Sequence, residues 1–347
     1  MKFNGQTFHR VCSVGSPYSL FLYLCDSTME QIKDTMFIYS PFGENRLHFD
    51  CLPGQYLCDP NYLWTGFKAW LSKQPHIAWL PYLYEYWFHC PHLEKTDELY
   101  AQDFTTLGTY LCAHDYTLIE DSPRCFSAWT KQHHQGFVDR RQLRASKSYR
   151  FQRLLKGGNV GYFYGDSPHC KGLLLTEDDD AEYVRHIPRK IIHPVEMWST
   201  FSPEKKALIL HLYGTTQEDI EQLKTKPIVI YTQPLYPDCI SKDDYIDILK
   251  RLVARYPKDQ IVIKTHPREA VDMKALFPDV MVFEEPLPAQ IIDAEGAHFK
   301  KAVTFFSSSV QNLSYPVDID WYGTDIHPAI AQKYYYPMPE GARKCKL

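Results

Sequence analysis

The sequence predicts an α/β protein built as two Rossmann-like lobes with a crevice between them, and three observations predict it. Its 347 residues fit about two domains of ~150 residues each. Through the second half, short β-rich apolar runs alternate with helical periodicities and short loops, the pattern of a parallel sheet wrapped by helices. Polar residues capable of chemistry fall just after those runs, where open α/β sheets bind ligands.

In the first half, residues 11–15 (Val-Cys-Ser-Val-Gly) read as a strand, and Ser16-Pro17 then sets proline where a helix can begin. Residues 35–39 read as the second strand of the same unit, and 116–119 as a later one that ends at Glu120-Asp121. Aromatic residues gather from Tyr56 to Phe104 in a chain that holds 25 Tyr, 19 Phe and 7 Trp. Such rings stack on the apolar faces of sugars, but a core helix or an oligomer face accounts for them more readily. The basic stretch from Arg140 to Arg153 reads as an exposed helix or loop. Gly157-Gly158 and Asp178-Asp179-Asp180 read as surface turns.

Gly214 and the Gln217-Glu218-Asp219 run precede the second sheet, so the lobes are expected at 1–220 and 221–347. Residues 228–232 form a short apolar run of the kind buried in a parallel sheet. After the loop 233–240, Ser241 stands three residues before Asp244, the signature of a capped helix start. That helix runs to about Tyr256, with Tyr245, Ile248, Leu249, Leu252 and Val253 on one apolar face. Strands follow at 261–263, 280–283, 302–306 and 317–322, with a helix from about 288 to 296. Asp318-Ile319-Asp320, a D-x-D, lies inside a strand and reads as structural.

Composition narrows the class. With 44% hydrophobic and 23% charged residues the chain buries an ordinary core. A net charge of −4 argues against a nucleic-acid binder. No window approaches the ~18 apolar residues of a membrane span, and residues 1–10 lack the basic-then-apolar order of a secretory signal. A cytoplasmic site is expected, with peripheral contact at the inner membrane as an option. The ten cysteines include no C-x-x-C pair and read as small buried hydrophobes of a reducing compartment. His89, Cys90 and His92 lack a fourth ligand at fixed spacing, so no metal site is assigned.

Three polar groups follow strand ends: Asp238 after one strand, His266 after the next and the serines 307–309 after a later one. A serine run that opens a helix offers hydroxyls, backbone N–H groups and the helix dipole to a phosphate. His266 has the chemistry to protonate or hydrogen-bond that phosphate as it departs, because an imidazole titrates near physiological pH. Asp238 suits removal of a proton from an acceptor hydroxyl, unless it merely caps the following helix. No Gly-rich phosphate loop is present.

Lys264-Thr265-His266-Pro267-Arg268 followed by Thr304-Phe305-Phe306-Ser307 resembles the bacterial sialyltransferases of glycosyltransferase family 52, which cap lipooligosaccharide. The resemblance covers about residues 226–325, and the paired motifs carry it, since a His-Pro alone recurs in several transferase groups. It implies a GT-B fold in which lobe 1–220 takes the acceptor and lobe 221–347 binds CMP. It implies inverting transfer of sialic acid from CMP-sialic acid to a galactosyl acceptor, with no metal and no cofactor. His266 matches the catalytic histidine, Asp238 the base and Ser307 the phosphate-binding serine. Gln233, Pro267, Gln290, Ser307 and Ser308 are then the donor-contacting candidates. Gln290 stands where the family places a glutamate, with Glu284 or Glu285 as substitutes. The acidic motif of the first lobe reads Glu120-Asp121-Ser122, which makes Asp121 the reserve base.

The same features leave other readings open. One is a CDP-polyol phosphotransferase, a second a CMP-Kdo transferase, and a third a non-catalytic carbohydrate-binding protein that uses the aromatic segment. A homodimer is compatible with all of them. Acceptor and linkage are not written in this sequence.

Overall fold

The computed structural model describes residues 1–40, 47–58, 66, 70, 79–94, 97–105, 107–127, 162–334 and 336–347. The chain forms two compact units, one of residues 1–45 and 49–194, the other of 46–48 and 195–347. The division therefore falls at 194/195, and the helices Pro203–Leu212 and Gln217–Lys224 group with the second unit. The expected boundary at 220/221 puts the first of these helices in the first lobe and divides the second. Gly214 takes a left-handed turn between those two helices and meets His48 of its own unit.

The first unit opens with a small hairpin, β1 (Lys2–Phe3) and β2 (Gln6–Thr7). Its main sheet holds β3 (Arg10–Val14), β4 (Thr35–Tyr39), β5 (Gly54–Leu57), β6 (Glu98–Ala101), β7 (Tyr116–Ile119), β8 (Cys170–Leu175) and β9 (Arg189–Ile191). All neighbours are parallel, in the order β5-β4-β3-β6-β7-β8-β9. All five residues of β4 are buried, as a parallel strand covered on both faces demands. Pro17 opens the helix Pro17–Asp26, and the Ser16 hydroxyl accepts a hydrogen bond from Ser19 N as its cap.

The second sheet holds β10 (Ile228–Tyr231), β11 (Ile261–Lys264), β12 (Met281–Phe283), β13 (Lys301–Thr304), β14 (Asp318–Trp321) and β15 (Arg343–Lys344). It is parallel throughout, in the order β12-β11-β10-β13-β14-β15. Both sheets reverse strand order beside their first strand, the doubly wound arrangement. Ser241 caps the helix Lys242–Val253 through Asp244 N, and its five apolar positions are all buried. Asp320 is buried in β14, where it accepts from Tyr256 Oη and from two guanidinium nitrogens of Arg343. That is a structural role. Asp318 beside it is exposed.

Three expectations change. Asp179 is no surface turn: it is 1% exposed and its carboxylate accepts from Phe126 N, Ser127 N and Ala181 N. Backbone donors that would otherwise be stranded draw it inward. The serine run opens only a 3₁₀ stretch, Ser308–Asn312, and not an α-helix. In the aromatic segment, helix Trp79–Phe88 buries Pro81, Leu83 and Glu85, yet exposes Leu80, Tyr84, Trp87 and Phe88. It is amphipathic, neither wholly core nor wholly surface. Residues 140–153 and Gly157-Gly158 lie outside the described residues.

All ten cysteines are free, seven of them buried. Among the described residues no helix is long and apolar enough to cross a membrane.

The Asp179 cluster sets a stability test. Asp179→Ala strands several buried N–H groups and should lower unfolding free energy by about 3 kcal/mol, the cost of leaving such donors unpaired. Asp180→Ala beside it, on an exposed carboxylate, should cost under about 1 kcal/mol. Urea denaturation of both variants reads the difference, and equal effects would return Asp179 to the surface.

Candidate functional site

In the second unit Tyr231 of β10 pairs with Lys264 of β11 on one side and with Thr304 of β13 on the other. The three strands thus end level, and the loops that leave them start from one carboxyl edge. Those loops carry Asp238, His266 and Ser307. The strand order reverses between β10 and β13, so this edge is the position where doubly wound sheets bind ligands. Tyr231 Oη, Gln233 Oε1 and Thr265 Oγ1, at the ends of β10 and β11, are buried with no hydrogen-bond partner among the described residues. Buried polar atoms left in that state call for a further partner.

His266 is fixed at both its backbone and its ring. Its N–H donates to Thr232 Oγ1 at 3.0 Å, and its Nδ1 accepts from Arg268 N at 3.0 Å. Nδ1 as acceptor carries no proton, so the neutral ring holds its proton on Nε2. Burial, then the charges of Arg268 and Lys264, pull its pKa down to about 3. This corrects the expectation of an imidazole poised near neutral pH. In the free protein His266 is a neutral N–H donor, and only an arriving anion would favour its protonated form.

Asp238 does not cap the helix; Ser241 does. The Asp238 carboxylate is half exposed and pairs with Arg268 Nη1 at 3.1 Å, while its main-chain carbonyl accepts from Lys333 Nζ. Arg268 therefore links the two strand ends, touching His266 through its backbone and Asp238 through its guanidinium.

At the end of β13, Ser307 is buried and its N–H donates to Thr304 Oγ1. Its hydroxyl oxygen accepts from Ser309 N at 3.2 Å and lies 3.1 Å from Ser309 Oγ. The cap occupies one lone pair and leaves the second as an acceptor. Ser308 follows as the first residue of the 3₁₀ stretch. Gln233 lies just past β10, Pro267 between His266 and Arg268, and Gln290 is buried in the first turn of helix Ala289–Ala294. Glu284 pairs with Lys274, and the main-chain oxygen of Glu285 accepts from Lys264 Nζ.

Sequence reading missed the residue that ties these loops together, Glu269. One carboxylate oxygen accepts from Ala270 N and Val271 N; the other accepts from Thr232 Oγ1 at 2.9 Å and Tyr245 Oη at 2.7 Å. Burial raises its pKa against those hydrogen bonds. Thr232, the same residue that receives His266 N, thus joins the exit of β10 to the His-Pro-Arg loop. A glutamate directly after His-Pro-Arg was the only hint in the sequence.

Asp121 belongs to the first unit. There Gln102, fully buried at the end of β6, accepts from Gly15 N at 2.8 Å across the point where strand order reverses. Its amide donates to Ser19 Oγ and to Asp121 Oδ1 at 3.1 Å. Beside it the buried Glu120 accepts from Tyr18 Oη at 2.8 Å, Thr176 N at 3.0 Å and Thr176 Oγ1. Burial pushes the Glu120 pKa up to about 7, against the hydrogen bonds from Thr176 and Tyr18. Among the described residues no three His, Cys, Asp or Glu side chains stand where they would hold one metal ion.

Comparison with known proteins places this geometry. The family described as Glycosyltransferase family 52 matches residues 96–330. A curated protein of Haemophilus influenzae, itself uncharacterised, is 32% identical over 173 residues, which cover 49% of this chain. The chain spans 56% of that relative's length. Among solved structures, an α/β-galactoside α-2,3-sialyltransferase from Photobacterium phosphoreum superposes with a TM-score of 0.53 at 14% identity, over 94% of this chain and 95% of that one. The GT-B domain of a sialyltransferase from Photobacterium damselae gives 0.50 at 10% identity, over 93% and 92%. At such identities the likeness is one of fold, and the fold is GT-B.

Glu120 supplies a test with a defined sign. An unfolded glutamate releases its proton near 4.5 and the folded one near 7, so between those values the folded state holds the extra proton and stability falls as pH rises. Glu120→Gln keeps an acceptor for Tyr18 and Thr176 and removes the titration. Measured by urea unfolding, the variant should gain on the wild type by about 3 kcal/mol from pH 4.5 to 7. A constant difference across that range would mean that Glu120 ionises normally.

Proposed function

Because the chain belongs to glycosyltransferase family 52, we propose that it is an inverting sialyltransferase, moving sialic acid from CMP-sialic acid to a galactosyl hydroxyl of a lipooligosaccharide or capsule-type glycan. The observation that carries this reading is the shared carboxyl edge. Asp238, His266 and Ser307 leave level strand ends at the switch point of one parallel sheet, and their chemistries are those a nucleotide monophosphate donor needs.

In this reading Ser307 and Ser308 hold the phosphate, and Gln233, Pro267 and Gln290 contact the rest of CMP. Asp238 takes the proton from the acceptor hydroxyl as its oxygen bonds to the anomeric carbon. The bond from that carbon to the phosphate oxygen breaks on the opposite face, so configuration inverts. His266 directs its Nε2–H at the leaving phosphate and neutralises the charge that develops there. The phosphate itself favours the imidazolium, countering the cations that keep the free ring neutral. A monophosphate carries less charge than a diphosphate, and the chemistry proceeds here without a metal. The first lobe receives the acceptor, with Asp121 as reserve base, and the reaction belongs at the cytoplasmic face of the inner membrane. A homodimer is compatible with this assignment.

The test is turnover of CMP-sialic acid with a galactose-terminated oligosaccharide in EDTA. The wild type should release CMP and sialylated product, and His266→Ala should lower turnover by ~10²–10⁴, the usual worth of a positioned proton donor. Turnover that needs magnesium or manganese, or release of product from a CDP-polyol instead, would contradict the assignment.

A further inference from the structure

Arg268 enters the site twice. Its main-chain N–H fixes the His266 tautomer, and its guanidinium sits 3.1 Å from the Asp238 carboxylate. The two side chains are 44% and 37% exposed, so water competes for the pair, and such pairs are typically worth under about 1 kcal/mol. Of the guanidinium donors, Nη1 alone reaches a protein acceptor among the described residues. The remaining N–H groups form a planar fork of the shape that takes a phosphate or carboxylate in two hydrogen bonds. Lys333 Nζ lies on the Asp238 carbonyl and Lys264 ends β11. The loop is therefore rich in cations.

Asp238 Oδ2 accepts from Arg268 Nη1, so an acceptor hydroxyl would compete with the guanidinium for that oxygen. We infer that Arg268 is a shared anion anchor: it holds Asp238 in the free protein and exchanges it for an anionic group of the nucleotide-linked donor, which frees the carboxylate for the acceptor. This rests on the proposed function. Donor binding shifts Asp238 away from the guanidinium and towards the acceptor.

The sharing predicts a thermodynamic competition that contact alone would not produce. Calorimetry with CMP, which offers phosphate only, and with a fluorinated, unreactive CMP-sialic acid, which adds a carboxylate, reads it. Arg268→Gln should weaken one or both about tenfold or more, as loss of a charged hydrogen bond does. An effect on CMP identifies the phosphate as the group anchored, and an effect confined to the second ligand identifies the carboxylate. Asp238→Asn should tighten the same ligand about two- to fivefold by releasing the anchor. In the Arg268→Gln background Asp238→Asn should change nothing. Arg268→Lys, which keeps charge and loses the fork, should fall between wild type and Arg268→Gln.

Unchanged affinity of both ligands in Arg268→Gln, with the variant's melting curve intact, would overturn the inference. So would equal tightening by Asp238→Asn in the presence and absence of Arg268, since that is simple repulsion between two anions. If the wild type binds neither ligand, the donor assignment itself fails and takes this inference with it.

Discussion

Tyr231 lies in parallel register with Lys264 on one side and Thr304 on the other, and the candidate site depends on that pairing. Three parallel strands that end level deliver three loops to one edge whatever their loop sequences are. A slip of one residue in either pairing would turn strand side chains to the opposite face and shift one loop out of line. The runs 228–231 and 261–264 resist such a slip because almost every residue in them is buried.

On that edge, the fine positioning comes from polar groups that the sheet itself does not specify. Glu269 binds two backbone N–H groups of its own loop, Thr232 beside β10 and Tyr245 of the following helix. Thr232 in turn receives His266 N, so the ring reaches the site on a loop braced from both neighbours. Braces of this kind hold a functional group in place before any ligand arrives. The first unit repeats the device in other residues, with Gln102 bridging Gly15, Ser19 and Asp121 across its own point of strand reversal.

Much of this was legible in the sequence, for a definable reason. Parallel strands buried on both faces read as short continuous apolar runs, so the residues that follow them, Asp238, His266 and Ser307, could be placed at strand ends. Ser241 announced its helix by spacing alone. Strands β6 and β8 went unread: β6 begins with a charged residue inside the aromatic segment, and β8 carries Lys171 and Gly172 in its first half. Proton states were not legible either. A histidine has an ordinary pKa until its burial is known; Lys264 and Arg268 stand two residues away in the sequence, but the burial that leads the shift belongs to the fold. Asp179 and Glu269 share this lesson: each carboxylate is held inside by backbone donors that no sequence pattern announces. The division between units, too, depends on where the helices from residue 195 onward pack, which their polar flanks do not reveal.

The candidate site depends on one location, the carboxyl edge of the second sheet. Hydrogen–deuterium exchange of the full chain, with and without saturating CMP, tests that location directly. Exchange should slow at residues 232–239, 264–271 and 304–310, the three loops that leave β10, β11 and β13. Protection confined to residues 13–16 and 119–122 of the first sheet, with 264–271 unaffected, would contradict it.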